Sequence, residues 1–258
     1  MSANLAAAGL VASYAAAALD FLLGLGLGFA GGLLGITGGV IAVPLFGLLG
    51  FGQQLAQGTS LVMQLPAGIV GLWHYTRRSA LSVRLMGTLA IASGAATYLG
   101  ARIAIHLPGP PLRKGFAIFL ALLATFTIWN AYRRRAMQFE LPWPYAALVG
   151  AGGGFCSGLF GVGGATFTIP LLTLLFGVSQ AQAQGLGLSV VLPAIVIAIP
   201  TYTFAGLADW PTGLALGVGA VCTVGFGVAM AHRLPERTLR VALCLVLYAG
   251  ASALWIHG

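Results

Sequence analysis

Apolar runs long enough to cross a membrane follow one another along almost the whole chain, with only short polar breaks between them. A hydrocarbon core about 30 Å thick needs roughly 17–25 apolar residues per helix. No stretch is polar enough to form a separate soluble domain. The pattern predicts an all-α polytopic membrane protein, whose regular spans lie near 57–75, 85–106, 115–132, 184–204, 210–232 and 239–256.

Two glycine-rich stretches interrupt this pattern: GLLGITGGVIAVP at 32–44 and GLFGVGGATFTIP at 158–170. From Pro144 to Val178 the chain would form one helix roughly 52 Å long at ~1.5 Å per residue, which is too long for a single crossing. The chain is therefore expected to reverse at each stretch, which we call the first and the second glycine motif. Whether each resulting hairpin spans the membrane or is re-entrant stays open at this point.

The two motifs belong to an internal duplication. Gly32 pairs with Gly158 at an offset of 126, and AQGTSLVMQLPA (56–67) pairs with AQGLGLSVVLPA (183–194) at an offset of 127. We divide the chain into a first transmembrane repeat at 1–132, a charged cytoplasmic linker at 133–144 and a second repeat at 145–258. Each repeat is predicted to contain a Gly-broken helical hairpin and three further helices.

A hairpin returns to the side from which it started, so a hairpin and three spans together carry each repeat to the opposite side of the membrane. The second repeat is therefore predicted to be inverted relative to the first, as in many secondary transporters. The loop charges agree with this orientation, because it places nine Lys and Arg residues inside and three outside. A single crossing at each motif would instead place six Lys and Arg residues on each side of the membrane. The inverted arrangement also places both termini outside the cytoplasm.

Composition narrows the function. The chain has twelve Lys and Arg, four acids and a formal net charge of +8, but the basic residues lie at segment ends, where they face lipid headgroups. Nucleic acid is therefore not an expected partner. The three cysteines have no CxxC spacing, and no paired carboxylates or nucleophile–base pair occur, so we expect no metal, no cofactor and no enzymatic activity.

The glycine motifs are candidate anion sites. Backbone N–H groups at the start of a broken helix attract negative charge, and glycine allows a ligand to approach closely. Acids are scarce inside the spans, which disfavours a cation as the ligand. The candidate substrate-binding residues are Gly35, Thr37, Gly38, Gly39, Gln57, Thr59, Ser60 and Gln64 in the first repeat, and Gly161, Gly163, Gly164, Thr166, Gln184 and Ser189 in the second.

Two further residues are candidates for proton coupling. Asp20 lies within a span, where it relays protons or stays protonated or paired with a polar neighbour. His74 lies at the end of a span, where it carries a proton or is an interfacial residue. Tyr75 and Tyr202 are expected to belong mostly to the aromatic belts at the membrane surface.

The duplicated GLLGITGGVIAVPLF and GLFGVGGATFTIPLL, each followed by an AQG helix start, resemble the TauE/SafE family of membrane permeases. The resemblance covers nearly the whole chain. It implies a multi-pass transporter in the bacterial inner membrane that binds small sulfur-containing anions such as sulfite or sulfonates and has no cofactor. The second repeat departs from the first at Leu186-Gly187, where the first has Thr59-Ser60, so the two repeats are not expected to contribute equally.

These observations lead to the hypothesis of an alternating-access transporter that exports small sulfur-containing oxyanions. A passive anion channel and an uptake permease for a related anion are alternatives, because both would also use neutral donors. An intramembrane enzyme and a non-transporting assembly factor belong to other classes. The oligomeric state is not predicted.

Overall fold

The computed structural model describes residues 2–34, 36, 38–78, 82–133, 142–178, 180–231 and 233–256. In these ranges every regular element is helical, with a short 3₁₀ helix at Trp143–Tyr145 before the sixth α-helix. The ten α-helices are α1 (Ser2–Leu34), α2 (Gly39–Leu48), α3 (Gln53–Arg78), α4 (Val83–His106), α5 (Gly109–Arg133), α6 (Ala146–Phe160), α7 (Ala165–Leu175), α8 (Gln180–Phe204), α9 (Trp210–Ala231) and α10 (Glu236–Ile256).

The prediction of an all-α, multi-pass membrane protein is confirmed. Six helices within the described residues are long and apolar enough to cross a membrane. Helix α3 carries glutamines and hydroxyl residues in its first half. It begins at Gln53, four residues before the predicted start at Gln57.

Both glycine motifs break the helix, as predicted. Helix α1 ends at Leu34 and α2 begins at Gly39, while α6 ends at Phe160 and α7 begins at Ala165. At about 1.5 Å per residue, α2 and α7 are roughly 15 and 17 Å long, so neither crosses a core about 30 Å thick on its own.

The chain reverses direction at the motifs. The residues before α2 and α7, Gly38 and Gly164, have left-handed backbones with φ of 76° and 65°, a conformation in which glycine avoids the strain of a Cβ. A Cβ on Gly164 would overlap the carbonyl of Gly153, eleven residues earlier in the chain. The start of α7 therefore lies back against α6. Gly38 lies near the Leu27 carbonyl of α1, where a Cβ would make an ordinary contact at 3.5 Å.

Glycine seams join the two repeats. Along α1 a Cβ on Gly24, Gly28 or Gly32 would overlap the backbone of α9, which shows that the two helices are in direct backbone contact. Along α6 the same is true against α4. The contacts match residue for residue across the duplication: Gly24 with Leu216, Gly28 with Ala220 and Gly32 with Val224 in one seam, and Gly150 with Leu89, Gly154 with Ser93 and Gly158 with Thr97 in the other.

The equivalent helices α3 and α8 run antiparallel. Gly58, near the start of α3, packs against Leu207, just beyond the end of α8, whereas Gly68 packs against Leu192 in the middle of α8. An antiparallel orientation of equivalent helices is compatible with inverted repeats, which stay a prediction. Helix α9, by contrast, runs parallel to α1, because the partners of Gly24, Gly28 and Gly32 advance together along both helices.

The helical bundle has two opposite faces, at which its helices begin and end. Helix α9 also runs parallel to α3, since Gly213 packs on Val62 and Gly217 packs on Met63 and Pro66. Both helices therefore end at one face, the arginine face, where Arg84 and Arg233 lie. The other face, where α8 ends and α9 begins, contains residues 206–209 and is called the Asp209 face.

Candidate functional site

The second glycine motif is held by α3 of the first repeat. The Nε2 atom of Gln64 donates to the Gly161 carbonyl at 2.9 Å, and the Ser60 hydroxyl donates to the same oxygen at 3.2 Å. Both side chains are almost fully buried. A Cβ added to Gly39, the first residue of α2, would overlap the Gln64 amide. Gln64 therefore contacts the first motif and binds the second.

Tyr202 of α8 joins the same motif to Gln57, one turn before Ser60 on the same face of α3. Its side chain is completely buried, and its hydroxyl oxygen lies 2.9 Å from the Gly158 carbonyl and 3.1 Å from Gln57 Oε1, so that its single proton is shared between the two acceptors. The prediction that Tyr202 lies in a surface aromatic belt is therefore wrong. Tyrosine occupies this position in both repeats, as Tyr75 and Tyr202.

Several buried polar atoms near this motif have no hydrogen-bond partner in the part of the chain that the structure describes. They are Gln57 Nε2, Gln64 Oε1, Ser157 Oγ and Thr166 Oγ1, and none of the four residues is more than 5% exposed. An unpaired buried group costs roughly 1–3 kcal/mol, so native proteins retain few of them. The sequence analysis selected three of these residues and missed Ser157.

A cavity of about 90 Å³ lies where the two glycine motifs meet. Its wall includes Gly38, the N-cap of α2, and Ala165, the first residue of α7. Both N-caps are glycines, so no side chain caps either first turn. The Ala165 N–H bonds the Gly163 carbonyl at 2.7 Å, and the starts of both helices, whose dipoles favour an anion, border one cavity. A water needs roughly 10–15 Å³ on the same measure, which leaves room for a small oxyanion.

The cavity wall is mostly apolar, and Gln184 supplies a polar side chain to it. On α1 and α9 the cavity is lined by residues in the later half of each helix, such as Gly31 and Val228. Because these helices end toward the arginine face, the cavity extends from the centre of the molecule in that direction. Toward the Asp209 face, the Thr59 hydroxyl accepts a hydrogen bond from the Asp209 backbone at 3.1 Å and fixes the loop there.

The remaining predicted residues are distributed as follows. Gly163 has a left-handed backbone between α6 and α7, and the Ser189 hydroxyl bonds the Gly185 carbonyl within α8. Gly35 and Thr37 lie outside the described residues. The structure thus gathers Gly39, Gln57, Ser60, Gln64 and Gly161 at one place, and Gly38 and Gln184 at the cavity beside it.

Of the two candidates for proton coupling, Asp20 is not among the described residues that line the cavity. Asp20 interacts with the Thr212 side chain near the start of α9 and is close to Asp209. The backbone of His74 belongs to α3, but its side chain lies outside the described residues. Proton coupling by either residue stays a prediction.

Comparison with known proteins bears on the function of this site. Residues 20–254 match the family described as Sulfite exporter TauE/SafE. The chain is also similar to proteins named as probable membrane transporters. It is 25% identical to YunE of Bacillus subtilis over 88% of this chain and 92% of that protein. It is 25% identical to MJ0441 of Methanocaldococcus jannaschii over 89% of this chain and 91% of that protein. It is 29% identical to a probable membrane transporter protein of Xylella fastidiosa over 80% of this chain and 82% of that protein.

Proposed function

This chain belongs to the sulfite exporter TauE/SafE family of membrane transporters, and we propose that it exports small sulfur-containing oxyanions, sulfite or an organosulfonate, by alternating access. The substrate binds in the cavity between the two glycine motifs. The observation that carries this proposal is that Gly38 and Ala165, at the starts of two helices from different repeats, line one cavity together with Gln184.

The chemistry of the cavity suits an anion that must also be released. Helix ends carry about half a unit of positive charge, and a neutral amide adds donors without a fixed counter-charge. A buried Lys or Arg would hold the anion more strongly and slow its release. The acids of this chain number four in total, and a cation would find few ligands here.

The two repeats supply the moving parts. We assign them to residues 1–132 and 145–258, joined by the cytoplasmic linker at 133–144, with both termini outside the inner membrane. With the arginine face toward the cytoplasm, as the positive-inside rule requires, the described state has its cavity on the cytoplasmic side. Rocking of one repeat against the other would transfer access to the Asp209 face. Asp20 and His74 are the groups we assign to proton coupling.

A transport assay tests the proposal directly. The purified protein is reconstituted into liposomes that are loaded with sulfite, isethionate, sulfate or chloride, and efflux is followed with and without a proton gradient. We expect efflux of sulfite or isethionate that saturates with concentration and exceeds that of chloride. The matched control is the Gln184→Leu variant, which removes the amide from the cavity wall.

The same assay separates the transporter from its rivals. Counterflow, in which unlabelled anion on one side accelerates uptake of labelled anion from the other, requires alternating access, whereas a channel gives none. Failure of the wild-type protein to move either sulfur anion would overturn the proposal. Flux that never saturates and shows no counterflow would replace it by the passive channel.

A further inference from the structure

The residues that line the cavity have equivalents in the other repeat. The duplication assigns Ser157 to the position of Gly31 and Gln57 to the position of Gln184. By the same offsets, the cavity-lining residues Leu188, Ala220 and Val224 have Leu61, Ser93 and Thr97 as their equivalents in the first repeat.

These equivalent positions are closed on the side of the Asp209 face. Ser157, Gln57, Leu61, Ser93 and Thr97 are all completely buried. Each position is thus open to a cavity in one repeat and packed shut in the other. Such a difference between duplicated segments is what a transporter of inverted repeats shows when only one face is open.

The closed positions also retain unused hydrogen-bonding capacity. Gln57 Nε2 and Ser157 Oγ have no partner within the described part of the chain, although both residues are fully buried. Packing alone does not explain a buried amide and a buried hydroxyl without partners, because each carries a desolvation cost. Both groups would be satisfied if a polar ligand or water reached them in another state.

We propose that Ser157 and Gln57 line a second cavity, which opens toward the Asp209 face when the repeats exchange conformations, and that they bind the oxyanion there. This inference rests on the proposed function, because it needs alternating access. The Ser157 hydroxyl and the Gln57 amide donate to oxygens of a sulfite or sulfonate group. The Asp209-face cavity is therefore more polar than the present one, where Gly31 replaces Ser157.

Cysteine labelling tests whether this second cavity exists. The native cysteines are Cys156, Cys222 and Cys244, and the three are first replaced by alanine, with transport measured to confirm that the background is active. Ser157→Cys, Leu61→Cys and Leu188→Cys are then made singly. Each is treated, without added anion, with a membrane-impermeant thiol reagent in vesicles of either orientation.

We expect Leu188→Cys to react from the arginine face, and Ser157→Cys and Leu61→Cys to react from the Asp209 face. The control is Leu120→Cys, because Leu120 and its equivalent Leu247 are both fully buried and neither lines the cavity. It should react from neither face. The inference is overturned if both Ser157→Cys and Leu61→Cys react no faster than Leu120→Cys, or react only from the arginine face. Leu61→Cys decides the question alone if Ser157→Cys does not fold.

A second measurement tests binding by Ser157. We expect Ser157→Ala to raise the half-saturating anion concentration about tenfold at the Asp209 face and to leave it unchanged at the arginine face, since the variant loses a hydrogen bond to a charged ligand. An equal change at both faces, or none at either, would contradict this role. Absence of sulfur-anion transport in the wild type would instead count against the proposed function, whereas the labelling pattern tests the cavity by itself.

Discussion

The side-chain nitrogen of Gln64 lies 2.9 Å from the carbonyl oxygen of Gly161 and donates a hydrogen bond to it. Gln64 belongs to the first repeat and Gly161 to the helix break of the second. The same side chain packs against Gly39, at the start of α2. The two glycine motifs are therefore connected through one buried amide, on the side of the cavity that is closed in this state.

We expect Gln64→Val to favour the state that is open at the Asp209 face. Valine is the residue at the equivalent position of the second repeat, Val191, and it removes the bond to Gly161 together with the unpaired Gln64 Oε1. Because losing the unpaired acceptor offsets part of the loss of the bond, the protein should stay folded. A bond worth about 1 kcal/mol should raise the labelling rate of Leu61→Cys from that face about fivefold.

The control for this experiment is Thr125→Val. The Thr125 hydroxyl bonds the Tyr248 hydroxyl at 2.9 Å and also joins the two repeats, but on their exposed side and away from both motifs. Its loss should leave the labelling rate of Leu61→Cys unchanged. An unchanged rate in Gln64→Val as well would mean that the bond to Gly161 does not hold the Asp209 face closed.

Two glycines of α1 should differ sharply in their tolerance of alanine. A Cβ on Gly28 would overlap the Ala220 backbone, whereas a Cβ on Gly26 meets no atom within 4 Å. We expect Gly28→Ala to destabilise the protein by about 1–3 kcal/mol through overpacking of the seam, and Gly26→Ala to be neutral or slightly stabilising. Thermal unfolding of both variants in detergent checks this. Equal melting temperatures would show that the seam adapts to a methyl group.

Much of the fold can be predicted from the sequence because the signals for it are local and occur in both repeats. Apolar runs of spanning length place the long helices, and the glycine motif with its proline marks each break. The conformational reason for the break, a left-handed glycine at 38 and at 164, was not predicted from the sequence, because each motif offers several glycines. The start of α3 was predicted four residues too late, at Gln57 instead of Gln53.

The partners of the site residues could not be predicted from the sequence, because they come from the other repeat. Gln64 was selected as a donor near its own motif, but its bond reaches Gly161, 97 residues away. Thr59 was selected for the substrate, whereas its hydroxyl accepts from the Asp209 backbone. Ser157 was missed because its equivalent in the first repeat is Gly31, so the comparison of the two repeats shows no repeated hydroxyl at this position.

Gln184→Leu should weaken anion binding without loss of fold. The Gln184 side chain lines the cavity, and removal of a hydrogen bond to a charged ligand costs about 1.5–3 kcal/mol, which corresponds to a loss of affinity of roughly 10- to 150-fold. The loss of affinity is measured by titrating the purified protein with isethionate. The control is Gln54→Leu, which breaks a 2.7 Å bond to the Leu107 carbonyl outside the cavity wall. Equal loss of affinity in both variants would point to a general structural effect.

Proton coupling can be separated from anion movement at Asp20. Among the helices that the structure describes, Asp20 is the one acid inside a candidate span, and it interacts with Thr212 at the start of α9. Asparagine keeps the shape of the side chain but cannot release a proton. We therefore expect Asp20→Asn to lose the stimulation of transport by a proton gradient and to retain anion counterflow, as measured in the same liposomes.

Asp209→Asn is the matched control for that experiment. The Asp209 carboxylate accepts from the Thr212 backbone at 3.2 Å and caps α9, and asparagine is also a good N-cap, so the variant should fold and keep its response to protons. If Asp20→Asn still responds to the gradient, Asp20 is not the coupling group. If both variants lose the response, the proton is shared by the two carboxyl groups through Thr212, whose hydroxyl donates to Asp209 at 3.1 Å.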